Sequence, residues 1–222
     1  MDDSGALGRE IPRNRHQARS DVTRARILDA AHRHFVAVGL DGARMETIAA
    51  EAGVNKALVY RHFGDREQLY REVLRRAYAK VRQAEAELSL PEDPLEALDC
   101  LVAFTLRYYM ANPDFLILVG IENLNGGAHL RRIDLEGLHV PSLLGILRGI
   151  IAGGSARGLF RDDIDPIELY MVVASQCWFT VATAHTFGIT FGVDVLAPER
   201  IERRRDLICS IVRRYVLRDP GA

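Results

Sequence analysis

The 222-residue chain is 48% hydrophobic and 27% charged, which gives it enough apolar material for a sizeable core and excludes an intrinsically disordered protein. Its net charge of -1 conceals an asymmetry, because residues 1–82 hold 16 Lys and Arg against 11 Asp and Glu, whereas residues 83–222 hold 13 against 19. The amino-terminal part is therefore the one suited to a polyanion.

Cysteine spacing and hydropathy argue against metal-binding, disulfide-bonded, exported and membrane-spanning proteins. Cys100, Cys177 and Cys209 lie far apart without a CxxC pair, so the sequence predicts neither a zinc site nor a disulfide framework, and a reducing cytoplasm is expected. The first ten residues lack the basic and apolar regions of a signal peptide. The apolar segment 169–181 is too short to cross a bilayer. We expect no metal, no cofactor and no membrane span.

Residues 1–20 are polar without a hydrophobic period, which predicts a flexible basic arm. Arg13, Arg15 and Arg19 in this arm can contact phosphates or a minor groove, or they can remain a solvated tail. From residue 21, apolar residues recur at spacings of three and four, including Ile27 and Phe35. This period predicts one helix that ends at Gly39.

Residues 47–63 predict a helix-turn-helix. A short helix with small side chains over residues 47–52 is followed by Gly53, which can adopt the left-handed backbone that ends a helix. Asn55 can cap the next helix through its side-chain oxygen. Val59 and Phe63, four residues apart, then form the inner face of a second helix over residues 56–63.

The sequence predicts a fourth helix from Asp65, with an apolar stripe that runs into an acidic segment ending near Leu88. Pro91 and Pro94 end that stretch. We therefore expect a basic arm at 1–20, a helix-turn-helix domain that includes the fourth helix at 21–88, and a second domain at 89–222. The remainder reads as helices at 94–111, 113–123, 129–157 with a break near Pro141, 166–187 and 198–217. The fold class predicted is all-α.

The region from 23 to 69 resembles the DNA-binding domain of the TetR/AcrR family of transcriptional regulators. The matching residues are Ile27, Ala30, Ala31, Phe35, Gly39, Ile48, Ala49, Gly53, Val54, Tyr60, His62, Phe63, Arg66 and Leu69. The resemblance implies a three-helix helix-turn-helix domain and a larger carboxy-terminal helical domain for ligand binding and dimerisation.

The candidate DNA-binding residues lie on and around the second helix of this motif. We expect Asn55, Lys56 and Leu58 to face base edges, whereas the resemblance implies that Tyr60 touches a phosphate. His62 can touch a phosphate or can be a partly buried residue at the helix end. The full set is Arg44, Thr47, Asn55, Lys56, Ala57, Leu58, Tyr60, Arg61, His62 and Arg66.

A single helix-turn-helix contacts little DNA, so pairing on a two-fold operator is expected. The resemblance implies a homodimer through the last helices, by a four-helix bundle. The apolar candidates for that interface are Leu169, Val173, Ile201, Ile208, Ile211, Val212 and Tyr215. Burial within one subunit must account for part of each stripe.

The resemblance also implies a cavity for a small-molecule effector among the middle helices. The candidate ligand-binding residues are Phe104, Tyr108, Phe115, Glu122, Asn123, Trp178, Phe179 and His185. The aromatic residues fit a plain core equally well, and the polar ones fit internal hydrogen bonds.

The function expected is a repressor that binds a palindromic operator as a dimer and is released by an effector. The alternatives are a ligand-dependent activator, an effector-free DNA-binding protein, or a small all-α enzyme in the carboxy-terminal domain. Glu136 and His139 have the spacing of two metal ligands on a helix, but a di-iron bundle needs a second copy of that pair. We therefore expect no catalytic residues.

Overall fold

The computed structural model describes residues 15–134 and 140–218, and within them the secondary structure is helical apart from one isolated bridge between Phe160 and Leu217. The all-α prediction is confirmed. The helices are α1 (Arg15–Gly42), α2 (Met45–Glu51), α3 (Lys56–Phe63), α4 (Arg66–Ala86), α5 (Pro94–Ala111), α6 (Pro113–Leu124), α7 (Val140–Ala156), α8 (Pro166–Ala182), α9 (Ala184–Phe191) and α10 (Pro198–Val216), with a 3₁₀ turn at Leu130–Arg132.

Contacts divide the chain into two compact units inside α4, between Val73 and Leu74. Unit 1 ends at Val73, and unit 2 begins at Leu74. Helix α4 therefore contributes residues to both units. A domain boundary at 88 stays a prediction.

Unit 1 is a small helical core around α1, α2 and α3. Helix α1 is interrupted at Gly39, whose φ of 71° is accessible to glycine at little cost. Phe35 and Tyr70 pack edge to face at 5.0 Å inside this core. The other large, fully buried side chains here include Ile27, Ile48, Val59 and Leu69.

Unit 2 is built around α5, which packs against α7, α8 and α10. Proline occupies the first turn of α5 and α8, where its missing N–H is not needed. Asp93 and Asp165 cap these two helices by accepting backbone hydrogen bonds. The core between the helices includes Leu98, Leu101, Leu147, Leu169 and Val173.

The largest differences from the predicted helix boundaries are at three places. Helix α1 begins at Arg15, inside the predicted arm; residues 1–14 of that arm lie outside the described residues. The helix predicted over 166–187 is two helices, because the chain bends by 65° between α8 and α9. The helix predicted over 129–157 is a 3₁₀ turn and α7, and Glu136 and His139 lie outside the described residues.

Among the described helices, none is by itself long and apolar enough to cross a bilayer, although the bent pair α8 and α9 passes that test by length and composition.

Candidate nucleic-acid interface and effector site

A glycine-ended turn joins α2 to α3. Gly53 has a φ of 64°, its N–H donates to Ala50 O at 3.0 Å, and the N–H of Val54 donates to Ala49 O at 3.0 Å. This pair of bonds is a Schellman motif, which satisfies carbonyl groups at the end of α2 and reverses the chain. The turn sets the angle at which α3 leaves the core.

Helix α3 begins with a side-chain cap and has one buried face. Asn55 Oδ1 accepts a hydrogen bond of 2.8 Å from the N–H of Leu58, as the sequence predicts. Val59 and Phe63 are buried. Asn55, Lys56, Ala57, Tyr60 and Arg61 are exposed, whereas Leu58 and His62 are half-buried. The structure therefore gathers most of the candidate DNA-binding residues on one outward face.

The exposed lysine of α3 has a carboxylate partner on α2. Lys56 Nζ forms an ion pair with Glu46 and lies 5.5 Å from the centroid of the Tyr60 ring. The hydrogen bond to Glu46 raises the pKa of Lys56, and its counterpart lowers the pKa of Glu46. Both side chains are water-exposed, so a phosphate or a base edge can replace the carboxylate at little cost.

An arginine that the sequence analysis did not single out holds the end of α3. Arg24 of α1 lies 4.5 Å from the centroid of the Phe63 ring, donates to the carbonyl of His62 at 3.4 Å and forms an ion pair with Glu72 at 2.7 Å. Burial and the nearby Arg61 and Arg24 lower the pKa of His62, so this ring is neutral at pH 7. The spacing of Arg24 on α1 carries no signal for this contact.

The remaining candidates flank the helix-turn-helix. Arg44 precedes α2 without making a side-chain cap. Arg44 and Thr47 are exposed. Arg66 is engaged within unit 1, since it donates to the carbonyl of Asp41 at 3.2 Å. Its remaining N–H groups are left for a phosphate.

A notch of about 200 Å³ lies between the beginning of α1 and α3. Arg19, Ser20 and Thr23 of α1 line it together with Leu58, Arg61 and His62 of α3. Two arginines and hydroxyl groups suit a phosphate oxygen. Ser20 and Thr23 were not predicted, because their approach to α3 depends on tertiary packing.

In unit 2, part of the predicted effector set forms an aromatic cluster. The ring centroid of Tyr108 lies 5.8 Å from that of Phe104 and 6.4 Å from that of Phe115. Tyr78 of α4 packs on Phe115 at 5.4 Å. Tyr108 and Phe115 are buried. Burial raises the pKa of Tyr108 to about 12, so its hydroxyl remains a neutral hydrogen-bonding group.

Glu122 is buried and fully engaged by the chain that follows α6. Its Oε1 accepts hydrogen bonds from the N–H groups of His129 and Leu130 at 2.7 and 2.8 Å, and its Oε2 lies 3.2 Å from His129 Nδ1. These bonds explain how the carboxylate is accommodated in the core. They favour the internal hydrogen-bonding role over direct ligand contact.

A buried ion pair on α4 lies close to the aromatic cluster. Arg82 donates to Glu85, and Arg82 Nε has no hydrogen-bond partner among the described residues. Burial raises the pKa of Glu85, although Arg82 opposes that shift. Burial would lower the pKa of Arg82, but Glu85 and Tyr170 outweigh it and raise that pKa. The spacing of Tyr78, Arg82 and Glu85 on one helix face is the signal that could have revealed this group.

The other four effector candidates lie on the surface, apart from the aromatic cluster, and their role in ligand binding stays a prediction. Asn123, Trp178, Phe179 and His185 are exposed. Trp178 and Phe179 project from the outer side of α8, because the core face of that helix carries Val173 and Cys177 instead. The single aromatic stripe of the sequence thus separates into an inner and an outer group.

The apolar stripes predicted for a dimer interface prove to be core for the most part. Leu169, Val173, Ile208 and Val212 are each 0% exposed within one chain, so they have no surface left for a partner. Their spacing marks the face that packs on α5. Ile201, Ile211 and Tyr215 are half-buried. The large apolar side chains that α8 exposes are Ile167, Met171, Trp178 and Phe179.

Two of the three cysteines are buried enough for their thiol pKa values to be raised. Burial raises the pKa of Cys177 and of Cys209 to about 12, which keeps both as thiols at neutral pH. Within residues 15–134 and 140–218, no three His, Cys, Asp or Glu side chains come together as metal ligands would.

Comparison with known proteins supplies the family context. Residues 27–73 match the family model described as bacterial regulatory proteins, tetR family, and residues 94–212 match the model described as tetracyclin repressor-like, C-terminal domain. The chain is 40% identical over 177 residues to the HTH-type transcriptional repressor NicS of Pseudomonas putida KT2440, which covers 79% of this chain and 84% of that relative. It is 31% identical over 163 residues to the HTH-type transcriptional repressor SCO4008 of Streptomyces coelicolor, with 72% and 80% covered.

Solved structures share the fold at lower identity. A TetR transcriptional regulator from Chloroflexus aurantiacus superposes with a TM-score of 0.68 at 19% identity, covering 91% of this chain and 100% of that one. The ketosteroid transcriptional regulator KstR2 of Mycobacterium tuberculosis superposes with a TM-score of 0.58 at 19% identity, covering 88% and 95%. At these identities the likeness concerns the fold alone.

Proposed function

Because the chain belongs to the TetR family of transcriptional regulators, we propose that it represses transcription by binding an operator through the outward face of α3. The names of its relatives NicS and SCO4008, both transcriptional repressors, support repression rather than activation. DNA binding also favours a cytoplasmic location in a bacterium and a non-enzymatic role.

The observation that carries this proposal is the division of α3 into two faces. Val59 and Phe63 anchor the helix in unit 1, while Asn55, Lys56 and Tyr60 project into solvent. An exposed helix with amide, ammonium and phenol groups fits the major groove, where such groups reach base edges and phosphates. Contacts to the DNA phosphate backbone can come from Arg44, from Arg61 and from the notch beside Arg19.

The operator is bound by a homodimer in this proposal. Ile167, Met171 and Trp178 recur on one side of α8 and are exposed, a spacing that suits helix pairing. On α10, Ile211 and Tyr215 are half-buried and so keep apolar surface that a partner could cover. Two copies then present two α3 helices about 34 Å apart, one DNA turn.

The effector in this proposal binds at the aromatic cluster of Phe104, Tyr108 and Phe115 in unit 2. Tyr78 of α4 belongs to that cluster, so a ligand that moves α4 can change the state of a helix that continues into unit 1. The ligand must bind the DNA-incompetent state more tightly, since equal affinity for both states shifts nothing.

Selection from a random duplex library tests the operator proposal. The full chain should enrich inverted repeats whose half-sites are one DNA turn apart. Enrichment of a lone half-site would overturn the dimeric mode, and no enrichment at all would overturn specific DNA binding. A metabolite that strengthens binding to the selected duplex would favour the activator alternative over repression.

A further inference from the structure

A cleft in unit 2 lies apart from the aromatic cluster, and we propose that it binds a small amphipathic anion, a carboxylate with an apolar tail. The cleft measures about 340 Å³, within the range of about 300–1,000 Å³ that is typical of small-molecule sites. The aromatic cluster contributes no residue to it. The inference goes beyond the proposed function, because it needs neither an operator nor a role in repression.

The bend between α8 and α9 creates the cleft. Gly188 on α9 has no side chain, which the turn requires, because a Cβ there would lie 2.8 Å from the carbonyl oxygen of Val193. The N–H of Val193 donates to the carbonyl of Gly188 at 3.0 Å, which closes the chain after α9. This tight turn places Val193 and Val195 along one side of the cleft.

The lining is apolar on one side and cationic on the other. Phe179 and Phe187 pack edge to face at 6.0 Å, and Leu207 of α10 adds to this apolar wall. Arg200, Arg203 and Arg204 complete the lining from the first half of α10. The spacing of these arginines places them on neighbouring positions of one helix face, where like charges repel.

No carboxylate of the described residues forms an ion pair with the three arginines of the cleft. Arg204 is held by neutral groups, since it donates to Thr180 Oγ1 at 2.9 Å and to Gln176 Oε1 at 2.8 Å. The Nε of Arg203 donates only to the carbonyl of Glu199, at 3.2 Å. Arg200 makes no side-chain contact of this kind within the described residues.

The opposite side of α10 is different. Arg205 pairs with Asp206 at 2.8 Å, and Arg213 forms a two-pronged pair with Asp99, with one bond of 3.0 Å. Two arginines on the side of α10 that faces α5 therefore have carboxylate partners, whereas the three that line the cleft have none among the described residues. An anion with an apolar tail matches both halves of the lining.

Charge also favours this ligand over a second copy of the chain as the occupant. In a two-fold contact made at the cleft, each copy would present its own three arginines to the same axis, and they would repel. The apolar dimer face proposed on Ile167, Met171 and Trp178 does not line the cleft.

Calorimetric titration of the full chain with octanoate and with 1-octanol tests the proposal. Octanoate should bind at least about tenfold more tightly than the uncharged alcohol, since the difference is a charge-assisted hydrogen bond. Arg200→Glu and Arg203→Glu should each weaken octanoate binding by about tenfold or more. Both arginines are exposed, so the variants should keep the helical circular dichroism of the wild type.

The matched control is Arg148→Glu, which reverses an exposed arginine on α7 outside the cleft and should leave octanoate affinity unchanged. Equal affinity for octanoate and octanol, or equal effects of Arg200→Glu and Arg148→Glu, would overturn the proposal. Binding that survives both cleft variants but is lost in Tyr108→Ala would assign octanoate to the aromatic cluster instead. A dimer that dissociates as octanoate binds, seen by analytical ultracentrifugation, would identify a second copy as the occupant and likewise overturn it.

Discussion

The exposed face of α3 and the buried cluster on α4 use the same kind of ion pair in opposite environments. Lys56 and Glu46 pair with side chains that are 48% and 62% exposed, whereas the Arg82 and Glu85 side chains are 10% and 4% exposed. Water screens the first pair, so its members can exchange partners. Burial holds the second pair together, because separating it would leave a charge in the core. Exposure, and not residue type, decides which pair can take part in recognition.

The largest effect is expected from breaking the buried pair. Glu85→Ala leaves Arg82 charged and without its carboxylate partner in the core, which should lower the free energy of unfolding of unit 2 by about 3–5 kcal/mol. Trp178, the single tryptophan, allows urea unfolding of unit 2 to be followed by fluorescence. The control Glu46→Ala removes the exposed partner and should leave that transition unchanged.

A double variant sharpens the same contrast. Arg82→Met with Glu85→Met replaces both charges by apolar chains and should recover most of the stability that Glu85→Ala loses. Equal losses in Glu46→Ala and Glu85→Ala would show that burial does not separate the two pairs.

Operator affinity should respond to the exposed pair. Lys56→Ala removes a predicted base contact and should weaken binding to the selected duplex by about tenfold, measured by fluorescence anisotropy at fixed salt. Glu46→Ala should instead strengthen binding to the selected duplex, because it frees Lys56 from a competing carboxylate. Arg148→Ala on α7 serves as the control with the same loss of charge. Unchanged affinity in Lys56→Ala would remove this residue from the reading face.

A smaller effect on the free energy of unfolding is expected from replacing either of two glycines by alanine. Gly53→Ala forces a Cβ into the left-handed region, with a φ of 64°, and should destabilise unit 1 by about 1 kcal/mol. Gly149→Ala in α7 places a Cβ in open space on a helix and should stabilise unit 2 by up to about 1 kcal/mol. Urea unfolding followed by far-ultraviolet circular dichroism checks both signs. A stabilising Gly53→Ala would contradict the turn geometry described above.

The smallest effect expected is a pH dependence of the stability of unit 1, caused by His62. Its pKa is lowered from 6.5 in the folded state, chiefly by burial, so below pH 6.5 the unfolded chain binds more protons than the folded one. The stability of unit 1 should therefore fall as the pH drops through that region. His62→Gln should flatten this part of a stability curve measured between pH 5 and 7.5. A curve of identical slope in the variant would show that other groups cause the dependence.

Local signals in the sequence predicted the elements that depend on neighbouring residues. Gly53 and Asn55 determine the turn and the cap through bonds that span three to five residues, so their spacing sufficed. The prolines at the starts of α5 and α8 marked helix starts for the same reason. The helix-turn-helix and the all-α fold were predictable from such features.

Long-range packing accounts for what the sequence did not predict. Apolar spacing indicated that Val173 on α8 and Val212 on α10 each belong to a buried helix face. It did not show whether that face packs in the core of one chain or against a second copy. The hydrogen bond from Arg24 to the carbonyl of His62 on α3 joins residues 38 positions apart. The burial of Glu85 was not predicted from the acidic segment that ends near Leu88, because it depends on the packing of α4 against other helices.

The most direct test of the central claim is the distance between the two α3 helices in a crystal structure of the protein on its selected duplex. The account predicts that each α3 lies in a major groove, with Lys56 toward base edges and the two helices about 34 Å apart. A complex in which α3 points away from the duplex, or in which one copy binds alone, would contradict it.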